Sequence, residues 1–147
     1  MGLAPGADPA DMTDTRLAAI KVPTMLIVGT NDNVNTINPH VTRPWDLVSG
    51  RPLYRIELVA GERLTFGDFC RYLDYWSTVS DIPFKARRAV INVVGRACDP
   101  GAMPIARADA LTNTFVIRFL QSVLNNGPSL ESTFTPIPDD VIFRVKL

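Results

Sequence analysis

The clearest pattern in the chain is an unbroken apolar run. Lys21-Val22-Pro23 leads into Thr24-Met25-Leu26-Ile27-Val28, which stops at Gly29. A run of this length, bounded by Pro and Gly and containing β-branched residues, predicts a strand buried on both faces. Such strands belong to parallel sheets with helices on either side. Leu53 to Val59 predicts a second strand, with Tyr54, Ile56 and Leu58 apolar and Gly61 as its stop. The spacing then changes. Phe69, Tyr72, Leu73 and Trp76 recur at helical intervals over 67–76, with Asp68 where a helix dipole favours an anion. Tyr72, Tyr75 and Trp76 are read as core residues of that helix. Phe84 to Val94 is a further helical stretch, weakened by its β-branched residues and by Gly95. The strongest helix is 107–125, where Leu111, Phe115, Phe119 and Val123, with Val116, Leu120 and Leu124, form a broad stripe ahead of Asn125-Asn126-Gly127-Pro128. Val141 to Val145, after the turn at 136–138, reads as a short edge strand.

Between these elements lie two polar stretches. Residues 1–19 are rich in Ala, Asp and Pro and predict a loop with one short helical turn. Residues 30–52 are long for a loop without local structure of its own. The organisation is therefore a single incomplete α/β domain over 1–147: an N-terminal loop (1–19), a strand and helix core (20–126) and a tail (127–147). Two strands flanked by helices leave an open sheet edge. The expectation is that missing strands come from an upstream segment, a partner chain or an arrangement the pattern does not disclose.

Composition narrows the picture further. Apolar residues make up 46% of the 147 residues, ordinary for a globular chain. The 15 basic and 15 acidic residues cancel, which argues against nucleic acid or an anionic membrane as partner. No apolar run is long enough to span a bilayer, and Met1 to Gly6 lacks the form of a signal peptide. Cys70 and Cys98 have no CxxC spacing and no histidine beside them, against a metal site. They read either as two buried thiols or as a disulfide. A bridge would contribute about 3 kcal/mol and would belong to an oxidising compartment.

Candidate chemistry starts at Gly29-Thr30-Asn31-Asp32. A carboxylate at the C-terminal edge of a parallel strand lies where sites form in open α/β sheets, and there it can orient an imidazole. A turn-forming Asp in an Asn-rich loop is the plainer reading. The segment from Ile20 to Asp32 resembles the late strand and triad acid of α/β-hydrolases. The strand at 54–59 followed by Gly61-Glu62-Arg63-Leu64-Thr65-Phe66-Gly67-Asp68-Phe69-Cys70 resembles the next strand and catalytic-histidine loop of the bacterial secreted branch. That branch includes dienelactone hydrolases, cutinase-like enzymes and platelet-activating-factor acetylhydrolases, and its pattern there is roughly Gly-x-His-Leu-Thr/Ser-Phe-x-Asp-x-Cys. Gly95-Arg96-Ala97-Cys98 and the long helix after it are similar as well, and Leu3-Ala4-Pro5-Gly6 resembles the end of the preceding strand.

The resemblance implies a partial α/β-hydrolase, three-layered with a mostly parallel sheet, lacking the N-terminal strands. It implies Asp32 as the remnant triad acid, a Cys70–Cys98 disulfide, and an extracellular or periplasmic location. The departure is Arg63, which stands at the catalytic histidine position. A guanidinium stays protonated and cannot shuttle a proton. His40, the only histidine, lies in the loop after Asp32 and reads as solvated or locally bonded. No Gly-x-Ser-x-Gly elbow occurs; the family order puts that serine upstream of the acid. Loss of one triad member alone costs on the order of 10⁴-fold or more in turnover.

The remaining signals are weaker. Arg87, Arg88, Arg96 and Arg107 read as solvated positions rather than a basic patch, and Trp45 and Trp76 as packing residues. Asp139-Asp140 has no calcium-loop spacing, and no phosphate-cradling glycine loop occurs. Neither a cofactor nor a metal is expected. The expectation is a truncated or degenerate serine-hydrolase-like protein, with relatives that cleave carboxylic esters, inactive as this chain alone. The alternative is a non-catalytic binding module that pairs with a complementary N-terminal half or with itself.

Overall fold

The structure, a computed structural model, describes residues 2–3 and 6–147, apart from the side chains of Leu3, Arg71, Asp74, Ser77 and Val93. In chain order the elements are β1 (Gly2–Leu3), α1 (Asp14–Ala18), β2 (Thr24–Gly29), α2 (Thr42–Leu47), β3 (Leu53–Leu58), α3 (Phe69–Thr78), α4 (Phe84–Val94), α5 (Ile105–Leu124), α6 (Leu130–Thr133) and β4 (Val141–Lys146). Tight 3₁₀ turns occupy Arg63–Phe66 and Gly95–Cys98. A wider turn at Ile37–Val41 is broken by the extended backbone of Asn38.

The four strands form one mixed sheet in the order β1-β2-β3-β4. β1, β2 and β3 run parallel, with Met25 opposite Tyr54 and Ile27 opposite Ile56. β4 returns antiparallel beside β3, pairing Tyr54 with Val145 and Ile56 with Phe143. The expected open edge is thus differently arranged. β4 covers the far side of β3, and the two-residue β1 covers part of β2. Of the segment Leu3-Ala4-Pro5-Gly6, Ala4 and Pro5 lie outside the described residues.

Alternation along the strands sorts the core into two layers. On one face Met25, Ile27, Tyr54, Ile56 and Leu58 pack against Leu111, Phe115 and Phe119 of α5 and Leu130 of α6. Phe115 stacks on Phe134 at 4.2 Å, and Phe119 meets Tyr54 edge-on at 6.0 Å. On the other face Leu53 joins Leu17 of α1 and Val48, while Leu26 and Val28 join Val41. Helices therefore lie on both faces of a mixed α/β sheet.

That second face also carries charge. Arg55 and Glu57, which alternate with Tyr54, Ile56 and Leu58 along β3, are both buried. The Arg55 Nε atom lies 2.9 Å from Glu57 Oε1, and Arg144 Nε approaches the same oxygen at 3.5 Å. Beyond them Lys146 sits over the Trp45 ring at 4.7 Å and donates to the Trp45 carbonyl at 2.7 Å. Trp45 is thereby part of the packing around Leu53.

α3 and α4 depart from expectation in their packing. They lie against each other as a hairpin beside the turns at 63–66 and 95–98, and Tyr72 and Tyr75 are exposed. The tyrosines are thus not core residues. Trp76 lines an apolar groove between the two helices together with Phe69, Tyr72, Leu73, Val90 and Val94. A disulfide joins Cys70 in α3 to Cys98, with the Cα atoms 5.6 Å apart. Its presence suggests a non-reducing compartment. No helix among the described residues is long and apolar enough to cross a membrane.

Candidate functional site

The C-terminal ends of β2 and β3 are joined at close quarters. A Cβ on Gly29 would overlap the Gly61 carbonyl, so the two loops meet only because glycine stands there. The Thr30 amide donates to the Leu58 carbonyl at 3.0 Å and the Asn31 amide to the Gly61 carbonyl at 2.9 Å. In return, the Ala60 amide donates to Thr30 Oγ1 at 2.9 Å. Ala60 itself adopts a left-handed conformation, with φ of 59°. Its carbonyl accepts from the Met103 amide at 3.0 Å, tying the segment ahead of α5 to the same place.

This knot positions Asp32. Its carboxylate is buried, 3% exposed, and Oδ1 accepts from the amides of Val34 and Asn35 at 2.9 and 2.8 Å. The arrangement is an Asx-type turn. Oδ2 is also buried and has no hydrogen-bond partner among the described residues. A buried carboxylate oxygen without a donor is costly and unusual, and it is the atom an imidazole would meet in a triad.

No imidazole meets it. His40 belongs to the 37–41 turn, and its Nδ1 is likewise buried without a hydrogen-bond partner among the described residues. Neither residue is bonded to the other. Arg63 opens the 3₁₀ turn 63–66, whose start is fixed by a capping box. The Glu62 amide donates to Thr65 Oγ1 at 2.8 Å and the Thr65 amide donates to the Glu62 carboxylate. Thr65 is fully buried, so the turn is anchored from beneath while Arg63 stays exposed. Among the described residues no ion pair joins Arg63 to Asp32.

Arg63 instead lines an open cleft of about 570 Å³ whose other walls include Asn33, Val34, Leu64, Asn92 and Arg96. The bridge at Cys98 holds the turn that presents Arg96. Sequence reading set Arg96 among scattered basic residues and missed its meeting with Arg63. A signal was available: Arg96 precedes Cys98 by two positions, and a Cys70–Cys98 bridge brings it toward the turn just ahead of Cys70. Arg107 goes elsewhere, forming a two-bonded pair with Asp140 at 2.8 and 2.9 Å. Among the described residues no group of three His, Cys, Asp or Glu side chains is placed to hold a metal ion.

Comparison of the chain with protein-family models, with curated proteins and with solved structures found no match.

Proposed function

We propose that this chain is an α/β-hydrolase-like domain, cut or degenerate, in which Asp32 keeps the acid position of a triad whose base and nucleophile are lacking. The observation that carries the reading is Asp32 itself: a buried carboxylate at the end of a parallel strand, one oxygen held by two amides and the other unpartnered. An acid that orients an imidazole presents itself in this way. In an intact relative the chemistry would be acyl transfer from a carboxylic ester through a serine ester. Here Arg63 holds the position that the sequence resemblance gives to the base, and a guanidinium cannot accept the proton. Hydrolysis by this chain alone is therefore not expected. The disulfide supports an extracellular or periplasmic location for such a domain.

The test is turnover of a short-chain p-nitrophenyl ester. No rate above buffer is expected. A rate abolished by Asp32→Ala would make the chain a working esterase, and one that survives Asp32→Ala would remove Asp32 from the site. The Arg63→His variant mixed with a complementary upstream half should gain activity if the resemblance to the histidine loop is correct.

A second reading, a non-catalytic module that associates with itself or with such a half, is favoured by one observation. Phe69, Tyr72, Tyr75 and Phe84 are all largely exposed on the α3–α4 hairpin, and grouped apolar surface promotes association. Sedimentation as a clean monomer at micromolar concentration would exclude self-association.

A further inference from the structure

We propose that the cleft between the Arg63 turn and the Arg96 turn binds a small carboxylate with an apolar body, of the medium-chain fatty-acid kind. Arg63 and Arg96 line one cavity, and neither has an ion pair or a side-chain hydrogen bond among the described residues. The nearby carboxylates are engaged otherwise. Glu62, also on the cleft wall, accepts the Thr65 amide in the capping box. Asp99, beside Arg96 in the adjoining hollow, accepts the Gly101 amide at 2.8 Å. The wall of the main cleft thus carries two cationic forks against one carboxylate already in use.

Guanidinium forks match the two oxygens of a carboxylate in geometry as well as charge. The rest of the wall is of the other kind: Val34, Leu64 and Ala97 supply apolar surface, while Asn33 and Asn92 add amides. The volume, about 570 Å³, lies within the range of small-molecule sites, roughly 300–1,000 Å³. Both cations stand on fixed turns, one held by the Glu62–Thr65 box and the other by the Cys98 bridge. The turns are therefore set before binding, which has chiefly the two exposed arginine side chains left to order. The assignment does not depend on the hydrolase reading, because it uses the arginines as ligands and asks nothing of Asp32.

The experiment is calorimetric titration of the oxidised full chain with octanoate at low salt, with octanamide and inorganic phosphate as comparison probes. Saturable binding of one octanoate is expected, weaker for both comparison probes. Arg63→Gln and Arg96→Gln should each weaken it by about tenfold, as for loss of one charge-assisted contact, and the double variant should show none. Arg118→Gln, outside the cleft, should bind like the parent, and circular dichroism should show all variants folded. Raising the salt should weaken binding by the parent chain, a measurement that needs no variant. Absence of saturation with millimolar octanoate, or unchanged affinity in the double variant, overturns the proposal. So does octanamide or phosphate binding as tightly as octanoate. None of these outcomes bears on ester turnover, which the Asp32 assay decides separately.

Discussion

Gly29 and Gly61 are in such close contact that the end of β2 and the loop after β3 share one hydrogen-bonded knot. Any side chain on Gly29 would have to displace the Gly61 carbonyl, which is backbone and cannot swing aside. Gly29→Ala should therefore destabilise the fold at the upper end of overpacking costs, about 3 kcal/mol. Urea denaturation measures this directly. A change below about 1 kcal/mol, well under that overpacking range, would mean that the loops separate readily and that Asp32 is not rigidly placed.

Tyr54 donates to Glu131 Oε2 at 2.9 Å, joining β3 to α6. Burial, and then the hydrogen bond to Glu131, push its hydroxyl up to about 12 from the ordinary 10.0. A raised value in the folded state gives a contribution to stability that is complete below pH 10 and disappears as pH rises through about 12. Thermal melts of the parent should thus decline across that window, and Tyr54→Phe should flatten the decline. The difference titration near 295 nm should lose its latest tyrosinate phase in the same variant. A parent and variant that decline together would show the bond to be without weight.

Glu57 lies between Arg55 and Arg144 on the buried side of β3. Removing its charge strands the Arg55 guanidinium, 8% exposed, inside the protein. Glu57→Gln should cost about 3–5 kcal/mol, the range for breaking a buried pair. Replacing both partners together, as Arg55→Leu with Glu57→Leu, should cost much less. Chemical denaturation of Arg55→Leu, Glu57→Leu and the double variant forms the cycle, and simple additivity would contradict it.

Reduction of the Cys70–Cys98 bridge should lower stability by about 3 kcal/mol, since the loop it closes regains its freedom in the unfolded chain. Melting in the presence and absence of a phosphine reductant provides the comparison. A Cys70→Ser/Cys98→Ser variant should melt with the reduced protein. If it melts with the oxidised one, the bridge contributes nothing to the fold.

Hydrophobic pattern made the main elements readable, and tertiary pairing decided what it left open. β2, β3, α3, α4 and α5 follow from apolar period and stop residues, and their bounds lie within two residues of those expected. α2 escaped notice because Thr42-Arg43-Pro44-Trp45-Asp46-Leu47 has little helix propensity and fewer than two turns in which to show a stripe. β1 has only two residues and no periodicity to read. The direction of β4 depended on which strand it would pair with, a long-range matter. Mutual pairing permits the burial of Arg55 and Glu57, which no local pattern discloses, and aromatic identity misled at Tyr72 and Tyr75. Of the candidate site, the loop at 29–32 stands out in the sequence through its glycine and aspartate. The cleft was not, because Arg63 and Arg96 lie 33 positions apart and meet only through folding.

The bridge between α3 and the turn after α4 has a practical corollary. A protease that severed the connection at 79–83 would leave two polypeptides still covalently linked through sulfur. Such a nicked molecule would migrate as one species in a denaturing gel and resolve into two bands only after thiol treatment.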